Sequence, residues 1–224
     1  MKKVLVIASH PDDEILGCGG TLIKHKKNKD LVSSIILGEG ITSRSDKRDV
    51  KKAKIKLYEL RLQAKKANKI LGINKLIFGN FPDNRFDTVP LLEIIKFLEN
   101  EIKIIRPDIV YTHYYNDLNI DHRITFNAAV TALRPVSNNT DIYCFETLSS
   151  TEFSPGKKKF NPSVFVDITN EIDKKLLSLK EYKTEIKKYP FIRSDKNIKT
   201  LASYRGYAAN FKYCEAFECI RQYR

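Results

Sequence analysis

The chain has 224 residues, 42% of them hydrophobic, and its 40 lysine and arginine residues exceed its 27 acidic residues, which gives a net charge of +13. This length predicts a single α/β domain, residues 1–224, with a C-terminal elaboration. No stretch approaches the length of a membrane span, and no zinc-finger spacing or RNP-type aromatic motif accompanies the basic residues. We therefore expect neither a transmembrane segment nor a nucleic-acid partner.

Apolar runs alternate with amphipathic stretches through the first 147 residues. Short apolar runs bounded by turn residues are typical of buried strands, and longer stretches with apolar residues three and four apart are typical of helices. The alternation predicts a three-layer, Rossmann-like α/β sandwich around a mostly parallel sheet. The predicted strands are 3–8, 31–37, 75–78, 108–112 and 142–147, and the predicted helices between them are 14–27, 47–71, 89–105 and 122–133.

Beyond residue 150 the alternation weakens. We predict a strand over 164–168, helices over 170–187 and 195–209, and a final strand or short helix over 211–219. The four cysteines form no Cys-x-x-Cys pair, and the apolar run near the start of the chain is too short for a secretory signal. We therefore expect reduced thiols in a cytoplasmic protein.

The densest group of chemically active side chains follows the first predicted strand, in the run His10-Pro11-Asp12-Asp13-Glu14. Ligands of open α/β sheets bind at the carboxyl ends of the strands. His10 and Asp13 can turn toward one point and suit a borderline divalent ion such as zinc, while Asp12 between them can remain uncoordinated and act as a base. In the alternative interpretation, Asp12 or Asp13 only caps the following helix.

A third ligand is expected from the segment after the fourth predicted strand. This segment, residues 113–123, contains His113 and His122. Three of the four histidines thus lie in or just after predicted strand ends, and we assign no role to His25, which lies in a lysine-rich helix end. Three protein ligands are typical of a catalytic zinc, because they leave one position open for water.

These motifs resemble those of the PIG-L/LmbE family of zinc-dependent N-deacetylases, which remove acyl groups from amino sugars. Residues 8–14 are similar to the family's Ala-His-Pro-Asp-Asp-Glu pattern, lengthened by Ser9, and residues 119–122 are similar to its His-Pro-Asp-His-like segment. Individually weaker similarity lies at residues 81–85, 145–150, 193–194, 204–206 and 215–217, so that the resemblance spans nearly the whole chain.

The resemblance implies roles for four residues. His10, Asp13 and His122 are expected to bind zinc, and another divalent transition metal such as iron or cobalt can occupy the same ligands. Asp12 is expected to act as the general base, taking a proton from the attacking water and returning it to the departing amine.

The sequence departs from the family pattern at three positions. Asn119 stands where many relatives have a histidine; its amide can donate a hydrogen bond to an oxyanion but carries no proton at neutral pH, and it is otherwise a turn residue. Phe191 also replaces a histidine that is common in relatives, which removes any binding or proton-transfer role of that histidine. Ala64 replaces a common acidic residue, so that Arg61 is either a substrate contact or a solvated helical cation.

Other polar residues near the predicted rim are candidates for contacting substrate. Asp83 and Arg85 can bind sugar hydroxyls or a phosphate, and Arg85 can equally form a surface salt bridge. His113 is expected close to the site, where it pairs with a carboxylate or contacts substrate. Asp121 either orients an imidazole or caps the helix that follows.

The sequence therefore predicts a metal-dependent hydrolase that removes an N-acyl group, with acetyl favoured, from a small-molecule amino sugar. The basic residues are spread over several helices and are interpreted as solvated faces, yet they favour an anionic substrate such as a nucleotide-linked or lipid-linked sugar. The alternatives are a deformylase, another N-acyl amidase, or a non-catalytic sugar-binding relative.

Overall fold

The fold is built around one mixed sheet with helices on both faces. The computed structural model describes residues 1–135, 139–154, 156 and 158–224. Among these residues, no helix combines the length and the apolar character that crossing a membrane requires. The strands are β1 (Lys3–Ala8), β2 (Leu31–Gly38), β3 (Lys75–Phe81), β4 (Ile109–His113), β5 (Asp141–Phe145), β6 (Val164–Asp167) and β7 (Cys214–Arg221). The helices are α1 (Asp13–Lys27), α2 (Val50–Leu71), α3 (Leu91–Ile105), α4 (Ile120–Ala132), α5 (Ile172–Leu179) and α6 (Asp195–Tyr207).

The strands lie across the sheet in the order β3-β2-β1-β4-β5-β7-β6. Strands β1 to β5 are parallel, whereas β7 runs antiparallel to both of its neighbours, β5 and β6. This order confirms the prediction of a Rossmann-like α/β fold with a mostly parallel sheet. The antiparallel strands at one edge form the C-terminal elaboration.

Apolar residues on both sides of β1 build a core on each face of the sheet. Val4 and Val6 belong to a cluster with residues of α1, α2 and α5, whereas Leu5 and Ile7 belong to a cluster with residues of α3 and α4. All four side chains are fully buried. Because successive strand residues point to opposite faces, a strand that is apolar at every position is stable only between two helical layers.

The first turn of α1 is held at the carboxyl end of β1 by close packing of the helix. A Cβ atom on Gly17 would lie 2.2 Å from the ring of Phe145, and one on Gly20 would lie 2.7 Å from the Ile168 side chain. Cys18 has a non-helical φ of −145° and kinks the helix between these two glycines. The glycines therefore permit an approach that no larger residue allows.

One predicted helix is wrong in its length. The helix predicted over 170–187 ends at Leu179, although the other predicted boundaries agree with the structure within three residues. Beyond this point the chain turns, and Tyr182 is fully buried with its hydroxyl donating to Glu14 Oε1 at 2.6 Å. This contact with a residue far away in the sequence has no signature in the helical periodicity.

Strands β1 and β4 are neighbours in the sheet although β2 and β3 separate them in sequence. The helix that follows β1 packs on one face of the sheet, and the helix that follows β4 packs on the other. A crevice opens at the carboxyl ends of the strands where the connections diverge in this way, and open α/β sheets bind their ligands there.

Candidate metal and catalytic site

Three side chains from the connections after β1 and β4 meet in this crevice. His10 Nδ1 lies 3.3 Å from Asp13 Oδ2, and His122 Nε2 lies 3.3 Å from the same oxygen. One potential ligand atom from each of the three residues falls within 4.8 Å of the others. The structure thus brings together the two histidines and the aspartate that the sequence analysis named as metal ligands.

A carboxylate faces the outward nitrogen of each histidine. His10 Nε2 is 3.0 Å from Asp121 Oδ2, and His122 Nδ1 is 3.2 Å from Asp117 Oδ1. Such outer carboxylates fix the tautomer of a ligating imidazole and make its inner nitrogen more basic. Asp121 is thus placed to orient His10, which is 111 residues away in sequence, rather than its neighbour His122. The other carboxylate oxygen of Asp121 accepts the N–H of Phe86 at 3.0 Å.

Asp117 was missed by the sequence analysis. It is fully buried, and it accepts hydrogen bonds from the hydroxyl groups of Ser150 and Thr151. The only sequence signal is an acidic residue in the turn before His122, and that is equally typical of a solvated turn.

Burial and the facing charges shift the pKa values of His10 and Asp13 in opposite directions. Burial alone would lower the pKa of His10, but its hydrogen bonds to Asp121 and Asp13 raise that pKa to about 10. Burial alone would raise the pKa of Asp13, but the facing imidazoles of His122 and His10 hold it well below its usual range. Two imidazole nitrogens and one carboxylate oxygen are a donor set that suits zinc, so the residues present fit the metal that the family resemblance implies.

His113 lies behind the three inner residues and outside the cavity. Its side chain is fully buried, and its ring stacks on His122 with 3.9 Å between centroids. The backbone N–H of Ser9 donates to His113 Nε2 at 2.9 Å, which occupies the lone pair that a metal ligand would need. The expected contact between His113 and substrate is therefore not retained.

Asp12 lines the cavity beside the inner residues. Its backbone φ of 104° lies in a region that favours glycine, and such strain is typical of functional sites. Its side chain makes no capping hydrogen bond to α1, so capping does not account for this residue. Arg193 Nη1 instead donates to Asp12 Oδ2 at 2.7 Å, and Arg193 Nε donates to Ser149 Oγ at 2.8 Å.

Burial raises the pKa of Asp12 well above its usual range, while the Arg193 guanidinium opposes this shift. A carboxylate whose pKa is raised accepts a proton more readily than an ordinary one, which suits general acid–base chemistry. The sequence analysis found a weak motif at Arg193 but had no means of directing it toward Asp12.

The cavity has a volume of about 260 Å³. At one side of it, Asn119 accepts the N–H of Asp121 at 2.8 Å and so caps α4. Because its oxygen is used in this way, its amide nitrogen faces outward and donates to Asn84 Oδ1 at 2.9 Å. Asn119 thus caps α4 and lines the cavity, and its role as a donor to an oxyanion stays a prediction. The cavity is lined by His10, Pro11, Asp12, Asp13, Gly40, Ile41, Ser43, Arg44, Leu60, Asp83, Asn84, Asn119, His122, Ser149, Ser150, Glu185 and Arg193.

Of the predicted substrate contacts, only Asp83 lines this cavity. Asp83 Oδ1 is 3.7 Å from His10 Nε2, and its other oxygen accepts the Ser43 hydroxyl at 2.6 Å. Arg61 lies outside the cavity, donates to Asn80 and has its guanidinium 5.5 Å from the centroid of a phenylalanine ring. Arg85 also lies outside the cavity lining. The cations that line the cavity are therefore Arg193 and Arg44, and Arg44 pairs with Glu185.

The fold and the site together define an α/β protein with a candidate metal centre and an adjacent acid–base carboxyl group. Residues 5–133 match the family described as PIG-L, GlcNAc-PI de-N-acetylase, and the chain belongs to that family. It is 30% identical over 191 residues to the uncharacterized deacetylase YaiS of Escherichia coli, covering 82% of this chain and 91% of that protein. It is 25% identical over 233 residues to the diacetylchitobiose deacetylase of Thermococcus kodakarensis, covering 98% of this chain and 84% of that protein.

The same fold also carries a different reaction. The structure of GalB, the 4-carboxy-2-hydroxymuconate hydratase from Pseudomonas putida KT2440, superposes with a TM-score of 0.78 at 21% identity, covering all of this chain and 98% of that one. The fold alone therefore does not specify the reaction, which depends on the side chains of the site.

Proposed function

We propose that this protein is a zinc-dependent hydrolase that removes the N-acetyl group from an amino sugar or an amino-sugar conjugate. One observation carries the proposal: a group of two histidines and an aspartate that could hold a metal ion, with both imidazoles backed by carboxylates, lies beside a strained, buried carboxyl group on the same cavity. Membership of a de-N-acetylase family and the deacetylase names of two relatives support the same reaction.

His10, Asp13 and His122 would hold the metal. A divalent ion held by three such ligands lowers the pKa of a water molecule toward neutrality and polarises an amide carbonyl. Asp121 and Asp117 keep the two rings oriented, which preserves the arrangement through turnover.

Asp12 is the residue proposed to move the proton. It accepts a proton as the water oxygen bonds to the acetyl carbon, and it delivers that proton to the sugar nitrogen as the carbon–nitrogen bond breaks. The products are acetate and the free amine. Arg193 fixes Asp12 Oδ2 at 2.7 Å. One N–H of the Asn119 amide donates to Asn84, and the second N–H is the neutral donor proposed for the oxyanion.

The substrate proposed is a small amino sugar, free or carried on a nucleotide or lipid, in the cytoplasm. The cavity of about 260 Å³ lies just below the usual range for ligand sites, which suits a single sugar-sized group. A substituent on that sugar would extend past the mouth, where Arg44 and Glu185 form an ion pair.

The proposal is tested by measuring amine release from a panel of N-acetyl and N-formyl amino sugars, free and nucleotide-linked. Wild-type, metal-stripped and zinc-reloaded protein are compared with Asp12→Asn, and Asp87→Asn, an exposed carboxylate outside the cavity, is the matched control. Elemental analysis counts the metal in every sample.

We expect release that needs both metal and Asp12, with metal retained in Asp12→Asn and full activity in Asp87→Asn. Release from formyl substrates alone would replace deacetylation by deformylation. Specific sugar binding without release, unchanged in Asp12→Asn, would contradict hydrolysis and identify a binding protein.

A further inference from the structure

Helix α2 carries more than half of the net charge of the chain. Its 22 residues include eight lysine or arginine residues and one glutamate, a net charge of +7 in a chain of +13. In the sequence these basic residues fall into separate short runs. The helix gathers them on one element.

The two sides of α2 differ sharply. Leu57, Leu60, Ala64, Ala67 and Leu71 recur at helical spacing and are buried against the sheet. The opposite side carries three large apolar side chains spaced three and four residues apart, which places them on one stripe. These are Ile55, Tyr58 and Leu62, exposed by 74%, 64% and 39%.

We call this stripe and the lysines around it the outer face of α2. Lys51, Lys65, Lys66 and Lys69 share the stripe's side of the helix and are exposed. None of the seven lysines of α2 forms an ion pair with a carboxylate of the described residues. Among the cations of α2, Arg61 alone has side-chain partners in the part of the chain that the structure describes: Asn80 and the ring of Phe78.

We propose that the outer face of α2 docks the protein onto an anionic lipid bilayer. An apolar stripe bordered by lysines is the pattern of helices that lie in a membrane interface, with apolar side chains among the acyl chains and ammonium groups at the headgroups. Anionic lipid also supplies the countercharge that unpaired lysines four residues apart, such as Lys65 and Lys69, lack on this helix.

The same observations argue against other occupants. A second copy of the chain docked on this face would bring two α2 helices together, each of net charge +7, and these repel. Protein interfaces are depleted in lysine. The phosphates of a nucleic acid bind lysines, but they do not bind the exposed isoleucine and leucine at the centre of this surface.

Docking would place the membrane close to the candidate catalytic cavity. Leu60, on the buried side of the same helix, lines that cavity. The inference does not depend on the proposed function, because it concerns residues that touch no part of the site.

The first test is co-sedimentation of the full chain with vesicles of neutral lipid, or of neutral lipid containing about 30% phosphatidylglycerol. One variant changes Lys51, Lys65, Lys66 and Lys69 to glutamine. The matched control removes the same charge elsewhere by changing the exposed Lys3, Lys103, Lys183 and Lys188 to glutamine. Circular dichroism and activity on a soluble substrate check that both variants fold.

We expect wild type and control to bind the anionic vesicles alone, and the α2 variant to bind at least about tenfold more weakly. Binding should also weaken as salt rises from about 50 mM to about 500 mM, because the screening length shortens. An equal loss of vesicle binding in the α2 variant and the control would overturn the proposal, because it would show that binding depends on total charge and not on the outer face of α2. Tighter binding to RNA than to vesicles at the same salt would overturn it as well.

The second test reports on the apolar stripe directly. The chain contains no tryptophan, so Tyr58→Trp introduces a single fluorophore on the outer face. Tyr207→Trp, at an 88% exposed position on α6, is the control. On anionic vesicles we expect a blue shift of emission for Tyr58→Trp and none for Tyr207→Trp. Equal emission shifts at both positions, or no shift at position 58, would show that the stripe does not enter the lipid.

Discussion

The parallel and the C-terminal parts of the molecule contribute to the candidate site in different ways. The parallel part, β1 to β5, brings His10, Asp13 and His122 together through the short connections at its carboxyl edge. The C-terminal part contributes Arg193, which contacts Asp12 across 181 residues of sequence. The positions of the candidate ligands therefore depend on where strands end. The environment of Asp12, the candidate base, depends instead on the docking of a segment that is distant in sequence.

That docking rests on buried polar contacts as well as on apolar ones. Lys175 Nζ, on α5, donates to the carbonyl of Leu16 at 2.8 Å and to Glu215 Oε1 at 2.7 Å. Glu215 also accepts the N–H groups of Gly20 and Thr21, at the kink of α1. If the two parts have separable roles, changes in the first should remove metal, and changes in the second should spare it.

The largest effect is expected in the parallel part, for Asp13→Asn. Asp13 Oδ2 is the atom shared by both inner histidines, so an amide there removes the central negative charge. Metal content and amine release should both fall by more than about 100-fold, the upper end for changes in the outer carboxylates. Metal retained at wild-type stoichiometry would contradict the assignment of the ligands.

The next effect is on stability, for Lys175→Met. Breaking a buried ion pair leaves the partner charge uncompensated, and the free energy of unfolding should drop by about 3–5 kcal/mol. Lys199→Met removes an exposed pair with Asp173 and should destabilise the protein far less, because solvent screens that pair. Urea denaturation followed by circular dichroism compares the two. Equal losses would mean that Lys175 does not anchor the C-terminal part.

A smaller, purely catalytic effect is expected for Arg193→Ala. Without its cation, the buried Asp12 is ionised less at neutral pH, and kcat should fall on the order of 100-fold, the lower end of what a general base contributes. Because Arg193 also bonds Ser149, Arg193→Lys should recover only part of the loss. Metal content is the discriminating measurement, and it should equal that of wild type. A loss of metal together with activity would contradict the separate roles of the two parts.

The outer carboxylates should give graded effects within the parallel part. Asp121→Asn and Asp117→Asn each weaken the orientation of one imidazole, and metal affinity should fall about 10- to 100-fold, as is typical for such partners. Competition with a chromophoric chelator measures this, with Asp87→Asn as the unaffected control. Full metal affinity in both variants would show that packing alone orients the two rings.

The smallest effect is expected in the rates at which thiols of the two parts are alkylated at pH 8. Burial raises the pKa of Cys18 and Cys144 well above the usual range and that of Cys214 to about 11. A raised thiol pKa leaves less thiolate at a given pH, so these three should react slowly until the pH approaches their raised values. Cys219 is exposed and should react first. Mass spectrometry of tryptic peptides gives the order, and early labelling of Cys144 would indicate local opening at β5.

Much of the fold followed from local pattern. The strand and helix alternation up to residue 147 predicted the layers and the site-bearing edge, because both depend on the periods of strands and helices and on parallel connection. The predicted helix over 170–187 failed beyond Leu179, because the burial of Tyr182 against Glu14 is a tertiary contact. Arg61 and Arg85 were expected near substrate, yet proximity in sequence to a motif did not bring their side chains into the cavity.

The sequence indicated the candidate ligand set in two ways: His10 and Asp13 lie three residues apart directly after a strand, and the resemblance to the family implied His122 as the third ligand. The pairing of Asp121 with His10, of Asp117 with His122 and of Arg193 with Asp12 became visible in the tertiary structure alone. It also decided that the lysines of α2, separate runs in the sequence, surround one apolar stripe. The physical reason is the same in each case: strand ends and helical periods are local properties of the chain, whereas the pairing of charges depends on which distant segments the packed core brings within a few ångströms.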